Sequence, residues 1–149
     1  MIQHTARRIG GAAAMILALA APAAAQEATA PDPPGLGLSL NTVAPVEGGG
    51  CRLTFVIRNG LAADLESMVA EAVLFDGAGH VDRITLFDFG ALPAGRPRVR
   101  QFDLDGPSCD TLGQVLVNGF ETCEGAGLTP GACLEGLRLS SDTGIEVTG

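Results

Sequence analysis

Apolar and polar side chains alternate with a period of two along most of the chain after residue 35. The alternation is clearest over residues 51–58, where every second residue from Cys51 to Ile57 is apolar. A period of two is that of an extended strand with one buried face, so this segment is predicted to be a half-buried strand. The same pattern predicts further strands over residues 36–41, 65–76, 81–89, 98–104, 112–117, 120–123 and 145–147.

Three of these segments carry additional information. Residues 65–76 are apolar on both faces near their end, which is typical of a central strand covered on both sides. In residues 98–104 the alternation slips, because Val99 falls on the wrong face, and a β-bulge near Arg100 would correct it. The dipeptide Asn118-Gly119 lies between two apolar runs and predicts a tight hairpin with a type I′ turn.

A helical pattern occurs once, over residues 129–137. Thr129 is a suitable N-cap, and Pro130 suits the first position of a helix. Strands that recur about every 10 to 15 residues, with turns between them, indicate an all-β fold. We therefore predict an antiparallel β-sandwich with one short helix near its C-terminus. Its expected core aromatics are Phe55, Phe75, Phe87, Phe89 and Phe102.

The first 25 residues have the three parts of a secretory signal peptide. They begin with a basic segment that contains Arg7 and Arg8, continue as an alanine-rich apolar stretch, and end with the small residues Ala23 and Ala25. The apolar stretch is about half as long as the roughly 20 residues that a bilayer span needs. We expect cleavage before Gln26 and no stable membrane insertion afterwards. The arginine pair leaves open whether export follows the general or the twin-arginine route.

Cleavage at this position leaves a Pro-rich linker over residues 26–35 and a single domain over residues 36–149, located in the periplasm or secreted. This product contains no lysine, and its seven arginines face 17 Asp and Glu residues, which gives a net charge of −10. Such a surface repels nucleic-acid phosphates and anionic lipid headgroups. Neither nucleic acid nor a membrane face is therefore an expected partner.

The four cysteines are Cys51, Cys109, Cys123 and Cys133. An even number of cysteines in an exported chain predicts disulfides, here two, for which three pairings are open. The nearest pair, Cys123 with Cys133, is favoured because it staples a Gly-rich loop, which leaves Cys51 to pair with Cys109. The alternative is a zinc site made of all four thiolates, although their spacing matches no common zinc module.

Residues 51–104 also contain a recognisable pattern. The strand 51–60 ends in Asn-Gly, Leu74-Phe75-Asp76 precedes Gly79, and Leu92-Pro93-Ala94-Gly95 forms a turn. This arrangement resembles the FxLYD-type domains of bacterial envelope proteins, with Phe75 in place of the tyrosine. The resemblance implies an immunoglobulin-like or fibronectin-like sandwich and carries no catalytic residue across. The whole chain is also similar to small exported bacterial proteins catalogued by a twin-arginine signal segment.

Few residues of the expected mature domain suit catalysis or metal binding. Its single histidine, His80, lies at a turn, and no Gly-x-Ser-x-Gly motif supplies a nucleophile. Asp103, Asp105 and Asp110 have the spacing of a partial calcium loop, which Gly106-Pro107 interrupts. We therefore expect no enzyme activity, no cofactor and no metal, and we interpret these acids as a polar turn.

The densest positive feature is formed by Arg96, Arg98 and Arg100. On a regular strand these side chains would project to one side, where three guanidinium groups could hold a carboxylate or phosphate. The alternative is that they pair across strands with acids such as Asp82 and Asp88 and protect a sheet edge. They are the candidate contact patch of the sequence.

Three functional hypotheses remain. The first is an exported, non-catalytic interaction module of the bacterial envelope that binds another envelope protein or a small ligand. The second is an accessory or assembly subunit of a secreted complex that acts by strand addition, which requires an unpaired, uncharged sheet edge. The third is a hydrolase that uses two converging carboxylates in a concave pocket.

Overall fold

The computed structural model describes residues 33–149. The predicted signal peptide and most of the predicted linker lie outside this range. The described part contains eight strands: β1 (Gly35–Pro45), β2 (Cys51–Gly60), β3 (Ser67–Asp76), β4 (Val81–Asp88), β5 (Arg98–Leu104), β6 (Leu112–Glu124), β7 (Arg138–Ser141) and β8 (Glu146–Thr148). Its one helical turn is a 3₁₀ turn at Cys109–Thr111.

The strands form two four-stranded sheets that pack as a β-sandwich. The first sheet has the order β5-β2-β1-β7, and the second sheet has the order β4-β3-β6-β8. The prediction of an all-β sandwich is confirmed, but the prediction of purely antiparallel pairing is wrong, since β7 pairs parallel with β1 and β8 pairs parallel with β6. Only a tight hairpin between consecutive strands forces antiparallel pairing, and neither parallel pair joins strands that are consecutive in the chain.

Alternate residues of the long strands face the space between the sheets and form the core. Four phenylalanine rings cluster there, with centroid separations from 4.6 to 6.4 Å: Phe55, Phe87, Phe89 and Phe102. The expectation that Phe75 belongs to this core is wrong. Phe75 lies opposite the exposed Val81 on the outer face of the second sheet and is only half-buried.

The Asn118-Gly119 hairpin is absent, because β6 runs through this dipeptide as one strand. A type I′ turn needs positive φ at both central residues, and neither has it. Ala72 pairs with Val117 and Glu71 pairs with Gly119, so Asn118 is the extra residue of a bulge. Since β3 is long enough to pair with both apolar runs, the bulge keeps them in one strand.

The bulge expected near Arg100 is also absent. The pairing of β2 with β5 is regular from Cys51 opposite Leu104 to Ile57 opposite Arg98. Arg98 and Arg100 therefore lie on the same side of β5 as Phe102 and Leu104, and the strand tolerates them because it is a sheet edge, where long side chains can reach solvent.

The helix predicted over residues 129–137 is replaced by successive turns. Only one hydrogen bond in this segment, from the Glu135 N–H to the Gly131 carbonyl, spans four residues, and the others span three. Glycine weakens a helix, and Gly136 has a φ of 67°, which ends any helical winding. The segment must also place Cys133 where it can form its disulfide.

The end of the predicted linker is part of the domain. Gly35 begins β1, and its φ of 90° together with its approach to the Gly136 carbonyl leaves no room for a Cβ atom. The Arg138 guanidinium donates hydrogen bonds to the carbonyls of Pro33, Pro34 and Gly35. A β7 side chain therefore fixes the point at which the chain enters the first sheet.

The four cysteines form two disulfides, Cys51–Cys109 and Cys123–Cys133, which is the pairing favoured from the sequence. The first ties the start of β2 to the 3₁₀ turn across a separation of 58 residues. The second ties β6 to the turns before β7 across a separation of 10 residues. Two structural disulfides indicate an oxidising environment outside the cytoplasm.

The two disulfides are expected to stabilise the domain unequally. In the chain-entropy model, the closed loops correspond to about 4 kcal/mol for Cys51–Cys109 and about 3 kcal/mol for Cys123–Cys133. Urea denaturation of the two double alanine variants, C51A/C109A and C123A/C133A, should show the larger loss of unfolding free energy for the first. Equal losses, or a larger loss for the second, would contradict this ranking.

Candidate functional site

The outer face of the first sheet is mostly polar where β2 and β5 pair, with one apolar pair, Val56 and Val99. Arg52 forms a bidentate ion pair with Asp103, with distances of 2.6 and 2.8 Å, and the Gln101 amide donates a hydrogen bond of 3.1 Å to the Thr54 hydroxyl. The hydrogen bond and the charge of Arg52 hold the pKa of Asp103 below its ordinary value. These polar side chains therefore find their ion-pair and hydrogen-bond partners within the sheet.

The outer face of the second sheet is apolar at its centre. In the β3–β4 register Val81 lies opposite Phe75 and Ile84 lies opposite Val73, while β6 adds Leu116 on the other side of Val73. Directly opposed residues share one face of a sheet, so these side chains form one continuous surface. With Leu86 they make up what we call the outer patch, which consists of Val73, Phe75, Val81, Ile84, Leu86 and Leu116.

The outer patch is open to solvent along β4. Ile84 is 64% exposed, Val81 58% and Leu86 49%, and Val73 is buried beneath its neighbours. Single exposed apolar residues are common, but a contiguous group on one face indicates a binding surface. The first sheet exposes one comparable residue, Val99 at 56%, which lies opposite the half-buried Val56, while the next pairs along this face, Gln101 with Thr54 and Asp103 with Arg52, are polar.

The charges on the outer face of the second sheet are all negative. The register places Glu71, Asp88, Glu124 and Glu146 on the same face as the outer patch. Glu71 accepts a hydrogen bond of 2.5 Å from the Asn118 amide. Arg83 is the only basic residue of these four strands, and it lies opposite the buried Leu74 on the inner face. A cationic partner therefore matches this face.

The arginines singled out from the sequence have separate surroundings. All three nitrogens of Arg100 donate to backbone carbonyls, of Phe89 at 2.9 Å, Val99 at 3.0 Å and Ala91 at 3.3 Å. Arg98 donates to the Pro97 carbonyl, and Arg96 is exposed before β5 begins. Arg100 thus closes the gap between β5 and the segment after β4, and its donors are used inside the protein.

The acids proposed as pairing partners for these arginines also bond elsewhere. Asp82 lies 2.7 Å from its neighbour Arg83, and Asp88 accepts a hydrogen bond of 2.9 Å from the Gly90 N–H. Of the residues considered for chemistry, His80 is exposed and lies 3.5 Å from Asp76. Within residues 33–149, no group of three or more His, Cys, Asp or Glu side chains is placed to hold a metal ion.

A groove lies where the chain enters the domain, and it is the other candidate site besides the outer patch. The groove of about 480 Å³ is lined by Pro34 and Gly35, the residues 60–62 and the turns over residues 127–136. Its polar side chains are Thr129 and Glu135. Small-molecule sites usually combine an apolar wall with several converging polar groups, and this groove has few of them. The outer patch is therefore the stronger candidate.

Comparison with protein-family models, with curated proteins and with solved structures finds no significant match to this chain. Among residues 33–149, no helix is both long and apolar enough to cross a membrane.

Sequence reasoning missed the outer patch. The apolar residues on both faces of residues 65–76 indicated a strand covered on both sides, but no other element covers the outer face of β3 in the described part of the chain. A useful signal was present in the next strand, where Val81, Ile84 and Leu86 supply apolar residues that the core does not use.

Arg100 is expected to stabilise the fold. Hydrogen bonds from a charged donor to buried or half-buried carbonyls are worth about 1.5–3 kcal/mol, and R100M leaves the carbonyls of Phe89 and Ala91 without this donor. Urea denaturation should show a loss of this size for R100M. The control R96M alters an exposed side chain and should change the unfolding free energy by less than about 0.5 kcal/mol. Equal effects of the two variants would contradict a structural role of Arg100.

Asp76 is expected to contribute to acid sensitivity. Its pKa is lowered chiefly by the hydrogen bond from the His80 N–H; burial opposes this as the second-largest effect, and the Ala78 N–H and the charge and side-chain hydrogen bond of His80 lower the pKa further. A carboxyl with a lowered pKa stabilises the folded state above the unfolded pKa of about 3.9 and loses this effect as the pH falls through the folded value.

The unfolding free energy of the D76N variant should therefore fall less steeply than that of the wild type as the pH is lowered below about 4. Urea titrations at several pH values measure this slope. The pKa of Asp103 is also lowered, chiefly by the hydrogen bond from Arg52, so D103N should reduce the slope independently. A D76N slope identical to that of the wild type would show that the turn does not depend on this carboxylate.

Proposed function

We propose that this protein is an exported, non-catalytic interaction module of the bacterial envelope, and that it binds a partner protein through the outer patch. The observation that carries the proposal is the contiguous apolar surface on one sheet of a sandwich whose other sheet has a mostly polar outer face where β2 and β5 pair. An uncovered surface of this kind is costly in water, and a bound protein would remove the cost.

Two further observations support this assignment. The two disulfides are those of a protein that works in an oxidising compartment, which fits a periplasmic or secreted location. The resemblance of residues 51–104 to FxLYD-type domains suggests an immunoglobulin-like or fibronectin-like sandwich and assigns no catalytic residue. A site made of apolar side chains on a flat sheet holds a partner by area and supplies no nucleophile or general base.

Photo-crosslinking in intact exporting cells tests the proposal. A photoreactive phenylalanine analogue at position 84 should give a discrete adduct with a second protein, because this position is at the centre of the exposed part of the outer patch. The same analogue at position 99 is the matched control, since Val99 is similarly exposed on the other sheet. Adding L86D to the position-84 protein should reduce the adduct severalfold.

Two outcomes would overturn the proposal: no adduct at position 84, or adducts of equal yield at positions 84 and 99. The variants must retain both disulfides and a melting temperature close to that of the wild type, so that a lost adduct reports lost contact. Because the substituted positions are exposed, these substitutions should leave the core unchanged.

A further inference from the structure

The sandwich has four edge strands, β5 and β7 in the first sheet and β4 and β8 in the second. Two of them are short, with four residues in β7 and three in β8. Proteins protect exposed edges by short strands, charges, prolines and bulges, because an unprotected edge can pair with another chain. β5 and β4 are therefore the two edges long enough to accept a strand.

β5 has several of these protective features. Pro97 precedes the strand, Arg98 and Arg100 place two positive charges on it, and Asp103 forms an ion pair with Arg52. The donors of Arg100 are used on carbonyls of the segment that follows β4, so its side chain crosses the edge. A partner strand on β5 would have to displace these contacts.

β4 lacks protection over its central part. Ile84, Thr85, Leu86 and Phe87 are uncharged, and none of them is proline or glycine. The pairing of β4 with β3 is regular from Asp88 opposite Val69 to Arg83 opposite Leu74, and the register shifts only beyond Leu74. The edge is thus flat and regular over the same residues that expose the outer patch.

We infer that the β4 edge accepts an extended segment of the partner protein as an added strand, and that this segment has alternate apolar residues and Lys or Arg at its flanks. The inference rests on the proposed function and specifies how the partner binds. Main-chain hydrogen bonds to β4 supply the docking frame, and the apolar side chains of the segment extend the surface beside Ile84 and Leu86.

The charge of the partner segment follows from the carboxylates of this face. Asp88 lies at one end of the free edge and is exposed, and Asp82 at the other end is exposed and ion-paired with Arg83, so Asp88 and the carboxylates Glu71, Glu124 and Glu146 of the outer face set the charge that a partner meets. The outer face of the second sheet carries no compensating base. A second copy of this chain would bring like charges together, and a basic segment would meet opposite charges. Charge complementarity therefore favours a cationic partner over self-association.

A synthetic peptide tests this inference on the purified mature protein with both disulfides formed. The probe is the acetylated and amidated peptide Lys-Val-Thr-Val-Thr-Val-Lys. Added strand pairing predicts slower hydrogen exchange of the β4 amides that point away from β3, measured by NMR. Docking flat on the outer patch would shift the methyl signals of Ile84 and Leu116 without protecting these amides, and would overturn strand addition.

The charge part of the inference has its own variants. D88N should weaken peptide binding by roughly two- to fivefold at low salt, the range expected for one exposed ion pair. The amide of D88N can still accept the hydrogen bond from Gly90, so the turn is retained. The control E47Q removes one exposed carboxylate in the turn between β1 and β2 and should leave the affinity unchanged. A peptide with Glu in place of Lys should bind at least tenfold more weakly.

The possible failures are distinguishable. If the peptide fails to protect β4 while the position-84 crosslink persists in cells, strand addition is wrong and the proposed function stands. If the crosslink is also lost, both are wrong. Equal affinity for the Lys and Glu peptides would overturn the cationic partner. A dimer of the protein alone in sedimentation, with protected β4 amides, would assign the edge to a second copy.

Discussion

Each sheet of a two-layer sandwich has one face that the other layer covers and one that it cannot cover. In this protein the covered faces take the phenylalanine cluster around Phe55 and the alternate apolar residues of the long strands. The uncovered face of the first sheet is made compatible with water by pairs such as Arg52 with Asp103. The uncovered face of the second sheet remains apolar at Val81, Ile84 and Leu86, and its proposed binding role derives from this asymmetry.

The strands that could be predicted are those whose alternation is decided locally. β2 has one apolar and one mostly polar face, and its pattern alone locates it from Cys51 onward. β8 was predicted over residues 145–147, one residue from its observed range, whereas β7 depends on a partner that is distant in sequence, and residues 138–141 carry no clear alternation of their own. Asn118-Gly119 suits a hairpin turn in isolation, yet pairing with the whole of β3 outweighs that local preference.

The candidate site was harder to predict than the fold for a related reason. Arg96, Arg98 and Arg100 stand out because they are charges in an acidic chain, but a charge pattern does not show which donors the fold itself will use. The guanidinium of Arg100 donates its hydrogen bonds to backbone carbonyls. The outer patch, by contrast, is built from residues that look like ordinary core in a linear sequence, and only the strand order shows that no layer formed by residues 33–149 covers them.

The parallel pairing of β1 with β7 has a consequence for synthesis and transport. Arg138 donates hydrogen bonds to the carbonyls of Pro33 and Pro34. The start of β1 is therefore held by a residue about a hundred positions later in the chain. β8 then adds the buried Val147 to the opposite layer. A nascent chain emerging from the ribosome or a translocon therefore lacks one edge strand of each sheet until residues 138–148 have emerged. The complete sandwich therefore forms only after these last two strands have emerged.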